Sequence, residues 1–225
     1  MKAPIALALD APDLSTVEKW ATAVSPYVDT LKVGLETYLR DGASAIDAVR
    51  KTDARLFLDL KLHDIPNTVA GAARSVAHFQ PDFLTVHASG GAEMIAAAAS
   101  ALPHTRITAV TILTSLSAED LTEIGFAQDP LTSVIRLSRL AVEAGARALV
   151  CSPVEVAEVR KVVPDDIVLI TPGVRPSGAD AGDQQRIATP EKAIADGANL
   201  VVIGRPITGA ADVAEAAKLI GATLL

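Results

Sequence analysis

Within Leu56–Val69, Asp59, Lys61 and Asp64 stand in and just after the apolar run Leu-Phe-Leu-Asp-Leu. Successive side chains of a strand alternate faces, so Asp59 and Lys61 share one face while Leu58, Leu60 and Leu62 share the other. An ion on a buried face costs several kcal/mol unless it is paired. The plain alternative is a structural ion pair near a strand end. Lys32 is a second ammonium at the end of another apolar run. Lys32, Asp59, Lys61 and Asp64 can interleave two ammonium with two carboxylate groups, each holding its neighbours ionised. Such an array suits a reaction in which charge changes sharply at one atom. Pro66 then stops regular structure, and Asn67 or Thr68 is expected to cap a helix beginning at Val69.

A second group of residues suits an anion. Thr171-Pro-Gly-Val-Arg175 and Gly204-Arg205-Pro-Ile-Thr208 each follow an apolar run. A glycine turn, a helix N-terminus and an arginine fork together form a phosphate cradle, against the alternative of ordinary surface arginines. Between them, Pro176–Gln185 is polar and contains glycine, and reads either as a plain solvated loop or as a lid carrying Gln184 to the ligand. Asp10 ends a run in which Ala6 and Ala8 share its face, so it can accept hydrogen bonds from sugar hydroxyls. As a helix cap it would be displaced by Asp13 or Ser15. The four histidines, His63, His78, His87 and His104, lack ligand spacing, so no metal site is expected. His63 and His87 are assigned orienting or core roles.

Eight short apolar runs must carry these groups: Ile5–Leu9, Leu31–Gly34, Leu56–Leu60, Phe83–His87, Ile107–Leu113, Ala148–Cys151, Ile167–Thr171 and Leu200–Ile203. Amphipathic segments lie between them at Leu14–Val24, Ala43–Arg50, Val69–Phe79, Ala92–Ala101, Leu131–Ala144 and Val154–Val163. A last helix is expected at about Gly209–Ile220. Alternating strands and helices imply parallel strands joined by right-handed crossovers. Eight units in 225 residues imply a single-domain (β/α)8 barrel, a TIM barrel, spanning 1–225. A doubly wound open sheet is the runner-up, although Leu9-Asp-Ala-Pro12 lacks the glycine fingerprint of a dinucleotide site. The chemistry-bearing residues select one end of the strands: Asp10, Lys32, Asp59 with Lys61, His87, Thr114 with Ser115, Pro172, and Gly204 with Arg205. In a barrel that face carries the active site.

Composition narrows the class further. Half of the residues are hydrophobic and only 3% aromatic, which suits small helices packed on β-branched strands. A net charge of −7 and a pI near 5.1 argue against nucleic acid or an anionic membrane as partner. The single Cys151 excludes an intramolecular disulfide and reads as a small buried hydrophobe. The first apolar run is cut by Asp10, too early for a signal peptide, and no stretch approaches a membrane span. A cytoplasmic protein is expected.

With these residues assembled, the chain resembles the orotidine 5′-monophosphate decarboxylase family from Leu7 to Thr208. The resemblance rests on Leu9-Asp10, Leu31-Lys-Val-Gly34, Asp59-Leu-Lys-Leu-His-Asp-Ile-Pro-Asn-Thr68 and Val110-Thr-Ile-Leu-Thr-Ser115. It continues through Thr171-Pro-Gly-Val-Arg-Pro176, Gly182-Asp-Gln184 and Val202-Ile-Gly-Arg-Pro206. Leu62 stands where many relatives carry Phe. The resemblance implies a cofactor-free enzyme that converts orotidine 5′-monophosphate to UMP in pyrimidine synthesis, working as a homodimer with sites at the subunit interface. It further implies that Lys61 protonates C6, Asp59 lies against the substrate carboxylate, and Lys32 binds Asp59 and the ribose. Asp64 and Thr68 would reach into the partner's site. Asp10 would hold the ribose, Thr114 and Ser115 the pyrimidine, and Gln184 with Arg205 the phosphate, with Pro172, Arg175 and Gly204 also binding. Hexulose-phosphate synthase and ketogulonate-phosphate decarboxylase share the Asp-x-Lys-x-x-Asp pattern but use a metal, and their residue at position 32 is typically acidic. A binding barrel without activity is the non-enzyme alternative.

Overall fold

The computed structural model describes residues 1–127, 129–175 and 188–225. Eight strands form a closed barrel in sequence order: β1 (Ala3–Ala8), β2 (Val28–Gly34), β3 (Arg55–Leu62), β4 (Phe83–His87), β5 (Arg106–Val110), β6 (Ala148–Val150), β7 (Val168–Thr171) and β8 (Leu200–Ile203). All neighbours are parallel, and β8 pairs back onto β1 through Ile5–Val201 and Leu7–Ile203. That closure excludes the open doubly wound sheet.

The helices are α1 (Leu14–Val24), α2 (Leu35–Asp41), α3 (Ala43–Arg50), α4 (Pro66–Val76), α5 (Ala92–Ala101), α6 (Ala118–Glu123), α7 (Pro130–Glu143), α8 (Val156–Arg160), α9 (Pro190–Ala195), α10 (Arg205–Thr208) and α11 (Val213–Ala222). Helix α4 begins three residues earlier than the expected Val69. Pro66 occupies its first turn, where a missing N–H is harmless and the fixed φ is already helical, and no side chain caps it. At α1 the Asp13 carboxylate accepts the Thr16 N–H at 2.8 Å, which leaves Asp10 free of capping. The fifth apolar run leaves the sheet at Val110, so Ile112 to Ser115 lie beyond the strand.

Two apolar layers result. The side chains of Ala6, Phe57, Phe83, Ala148, Ile170 and Leu200 plug the barrel. Phe57 and Phe83 meet with ring centroids 5.6 Å apart, and Arg55 and Arg106 lay guanidinium groups against Phe83. The outward residues of the strands, among them Leu7, Leu31, Leu58, Leu84 and Leu169, pack under the helices. Cys151 is buried in this layer. The plug closes the barrel below the inward-facing charges, so those charges open only toward the carboxyl ends of the strands.

Candidate active site

Strand register brings the charges together. Ala8 of β1 lies beside Lys32 of β2, and Gly34 of β2 beside Asp59 of β3. The Lys61 ammonium donates to Asp59 Oδ1 at 2.8 Å. The Lys32 ammonium lies 3.3 Å from Asp59 Oδ2 and 3.9 Å from Asp10 Oδ1. Lys32 and Asp59 are buried, whereas Asp10 is exposed and Lys61 partly so. Burial alone would raise the Asp59 carboxyl, but the flanking Lys32 and Lys61 ammonium groups outweigh it and hold the carboxyl below its ordinary range. Asp59 is therefore ionised at neutral pH. Two cations converge on it from opposite oxygens.

Asp64 does not join this array within the chain, which corrects the four-charge interleaving expected from sequence. Its side chain is exposed and accepts the Ile65 N–H at 2.6 Å. The turn into α4 carries it outward, together with the exposed Thr68. Asp10 supplies the second carboxylate in its place.

The array borders one wall of a cleft. Phe57, Val110, Ile112, Val150 and Val202 line an apolar slot, with Asp59 and Lys61 on one side and Thr114, Ser115 and Pro172 around its rim. From Asp59 and Pro172 the cleft continues past Asp10 and Lys32 to Gly173, Arg175, Gly204, Arg205 and Thr208. The slot is largely apolar beside the charged array, and the arginines stand at the other end of the cleft. Arg205 opens the short helix α10 behind Gly204, while Arg175 donates to the Val174 carbonyl at 2.9 Å. Gln184 and the expected lid Pro176–Gln185 lie outside the described residues.

Beside the array, His87 ends β4 and faces His63, with ring centroids 5.4 Å apart. Burial, then His63 and then Lys61, push the His87 imidazole below its ordinary range, against the opposing pull of Asp59. No three His, Cys, Asp or Glu side chains among the described residues are grouped to hold a metal ion. No helix among them is long and apolar enough to cross a membrane.

Two site residues went unsingled in the sequence. A Cβ at Gly34 would lie 2.8 Å from Lys32 Nζ and 3.1 Å from Asp10 Oδ1, so the absent side chain makes room for the ion pair. Thr85 bonds both to the Lys61 backbone and to Asp59. The signal for Thr85 was a hydroxyl at the inward position of β4 between Phe83 and His87.

Known proteins place this geometry in context. The sequence model of the orotidine 5′-phosphate decarboxylase / HUMPS family matches residues 3–220. The orotidine 5′-phosphate decarboxylase of Thermobifida fusca (strain YX) is 62% identical over 225 residues, covering 100% of this chain and 97% of that protein. The enzyme of the same name from Anaeromyxobacter sp. (strain K) is 52% identical over 221 residues, covering 98% and 97%. The crystal structure of orotidine 5′-phosphate decarboxylase from Lactobacillus acidophilus superposes with a TM-score of 0.86 at 33% identity, covering 99% of each chain. The barrel, the charged array at its mouth and these matches along the full chain lead to one assignment: the chain belongs to the orotidine 5′-phosphate decarboxylase / HUMPS family.

Proposed function

We propose that this chain decarboxylates orotidine 5′-monophosphate to UMP and CO2, the last step of pyrimidine nucleotide synthesis, as a cytoplasmic single-domain enzyme. The observation that carries the reading is the Lys32–Asp59–Lys61 array at the junction of an apolar slot and an arginine-bearing end. The family joins this activity with hexulose-phosphate synthases, and residue 32 separates the two chemistries. A divalent cation at this point would face two ammonium groups already within 3.3 Å of the only buried carboxylate of the array. Lysine at 32 therefore favours the decarboxylase, and the chemistry needs no cofactor.

In this reading the pyrimidine occupies the slot, with Thr114 and Ser115 at its polar edge, and the phosphate lies against Arg205, Arg175, Gln184 and the backbone near Gly204. Pro172 borders both regions, and Asp10 and Lys32 hold the ribose. The C6–carboxylate bond breaks and its electron pair remains on C6, in an orbital the ring scarcely delocalises. The fixed Lys61 ammonium stabilises that charge and then donates its proton to C6. Water restores the proton on Lys61. Asp59 holds the ammonium in place and disfavours the substrate carboxylate, an effect relieved as CO2 departs. Phosphate contacts far from C6 supply binding energy for closing the site. Asp64 and Thr68 are exposed beside Ile65 at 66% exposure, and in this reading the protein is a homodimer in which they reach into the partner's site.

The decisive measurement follows the ultraviolet absorbance of orotidine 5′-monophosphate with pure protein, without added metal and with a chelator present. Turnover in the wild type and none in a folded Lys61→Ala variant is the expected result. Inhibition by the chelator, or substantial decarboxylation by Lys61→Ala, refutes the reading.

A further inference from the structure

The strand that carries Asp59 and Lys61 is irregular at the point where it carries them. Its pairing with β4 runs Phe57 to Phe83 and Leu58 to Leu84, then resumes at Leu62 with Val86. Asp59, Leu60 and Lys61 thus face a single residue, Thr85. A bulge of this kind breaks the backbone ladder and leaves donors without carbonyl partners. Lys61 also has φ of 47°, a left-handed conformation that costs a side-chain-bearing residue about 1–2 kcal/mol. Such a conformation persists only where its surroundings over-determine it.

Thr85 provides that constraint. Its side chain is fully buried, and its Oγ1 accepts the Lys61 backbone N–H at 2.8 Å in place of the missing carbonyl. The same hydroxyl donates its one proton to Asp59 Oδ1 at 3.1 Å. Asp59 Oδ1 also accepts from the Lys61 ammonium at 2.8 Å. The four groups close a ring: Lys61 N–H to Thr85, Thr85 to Asp59, and Asp59 back to the other end of Lys61. Both ends of the lysine are tied to one hydroxyl and one carboxylate oxygen.

We propose that Thr85 is a positioning residue for the decarboxylation, its hydroxyl locking the bulge so that the Lys61 ammonium stays on Asp59 and in line with C6. The inference rests on the function proposed above. Valine has the shape of threonine without the hydroxyl, and serine keeps the hydroxyl without the methyl. Thr85→Val therefore loses both bonds and Thr85→Ser retains both. Because Asp10, Arg205 and the phosphate end are untouched, the loss falls on kcat, about 10–100-fold for a reacting group displaced by a fraction of an ångström to 1 Å. KM changes little.

The test measures kcat and KM for orotidine 5′-monophosphate in the wild type, Thr85→Val and Thr85→Ser, with amide hydrogen exchange at Lys61 in the wild type. Expected are a kcat loss confined to Thr85→Val, kcat within a few-fold of wild type in Thr85→Ser, and a protected Lys61 amide. Wild-type kcat in Thr85→Val overturns the proposal, as does an equal loss in Thr85→Ser or a loss carried by KM. Should Thr85→Val not fold, the exchange measurement decides: a Lys61 amide exchanging as freely as an unstructured one overturns the proposal. A wild type without turnover refutes the proposed function itself, a result distinct from active wild type with an indifferent Thr85.

Discussion

Gly34→Ala is expected to give a protein at least as stable as the wild type and much less active. Gly34 lies at the end of β2 with φ of −93° and ψ of −176°, an extended conformation any residue adopts. Alanine there imposes no backbone strain, and it restricts the unfolded chain, a gain of about 0.4–1 kcal/mol. The new Cβ would stand 2.8 Å from the Lys32 ammonium and 3.1 Å from Asp10 Oδ1, where ordinary contact begins at 3.4 Å. Both obstructing atoms end flexible side chains, so the barrel has no need to deform. The ammonium must instead retreat by about 0.6 Å, the shortfall from ordinary contact. Its contact with Asp59 Oδ2 is already 3.3 Å, and a further retreat weakens the grip that orients the carboxylate for Lys61. Displacements of this size near reacting atoms lower kcat/KM by about 10–100-fold, equivalent to about 1.4–2.8 kcal/mol of barrier. Thermal unfolding and decarboxylation kinetics on the same preparation test both halves. Wild-type kcat/KM would show that Lys32 is not held by this contact. A fall in Tm of several degrees would show that the strand, rather than the ammonium, gives way.

Three other perturbations separate the parts of the site. Arg205→Ala should raise KM for the nucleotide while leaving the dephosphorylated nucleoside unaffected, and an equal effect on both substrates places the phosphate elsewhere. Mixing inactive Lys61→Ala and Asp64→Ala proteins should restore activity if each site borrows Asp64 from a partner. Random reassortment of a two-fold dimer leaves one intact site in half of the dimers, or about a quarter of wild-type activity. No recovery after verified subunit exchange excludes the shared site. Stability should also depend on pH in two steps. The folded His87 imidazole lies below its ordinary value of 6.5, so the unfolded chain takes up a proton first and stability declines as pH falls below 6.5 through the folded value. The Asp59 contribution is present above its unfolded value of 3.8 and is lost as pH falls through the still lower folded value. Tm measured against pH in the wild type and His87→Gln should lose only the upper step in the variant, and identical profiles would remove His87 from the account.

How much of this was legible in the sequence depends on what each element must satisfy. Phe83–His87 and Leu200–Ile203 were readable to the residue, because a buried parallel strand is a short apolar run bounded by turn-forming residues. Helices α2, α6, α9 and α10 were missed. Each spans only four to seven residues, too few for a helical period to emerge against the background. The array was legible because inward positions recur every second residue, which places Lys32, Asp59 and Lys61 in the barrel mouth. The bulge was not legible for the same reason. Facing three residues of β3 with one of β4 inserts two residues, and an even insertion leaves the in-out alternation unchanged. The sequence of Leu58–Leu62 therefore reads identically for a regular strand and for this one, although only the second turns Lys61 through a left-handed φ. Thr85 was hidden by its ordinariness, since threonine is a common strand residue and its partners belong to another strand. Asp64 was marked as chemistry by its type, but the Pro66 turn carries it out of its own chain's array. Types and spacing reveal which groups occupy the mouth, while the hydroxyl bonded to Asp59 and to the Lys61 backbone comes from a neighbouring strand, distant in the chain.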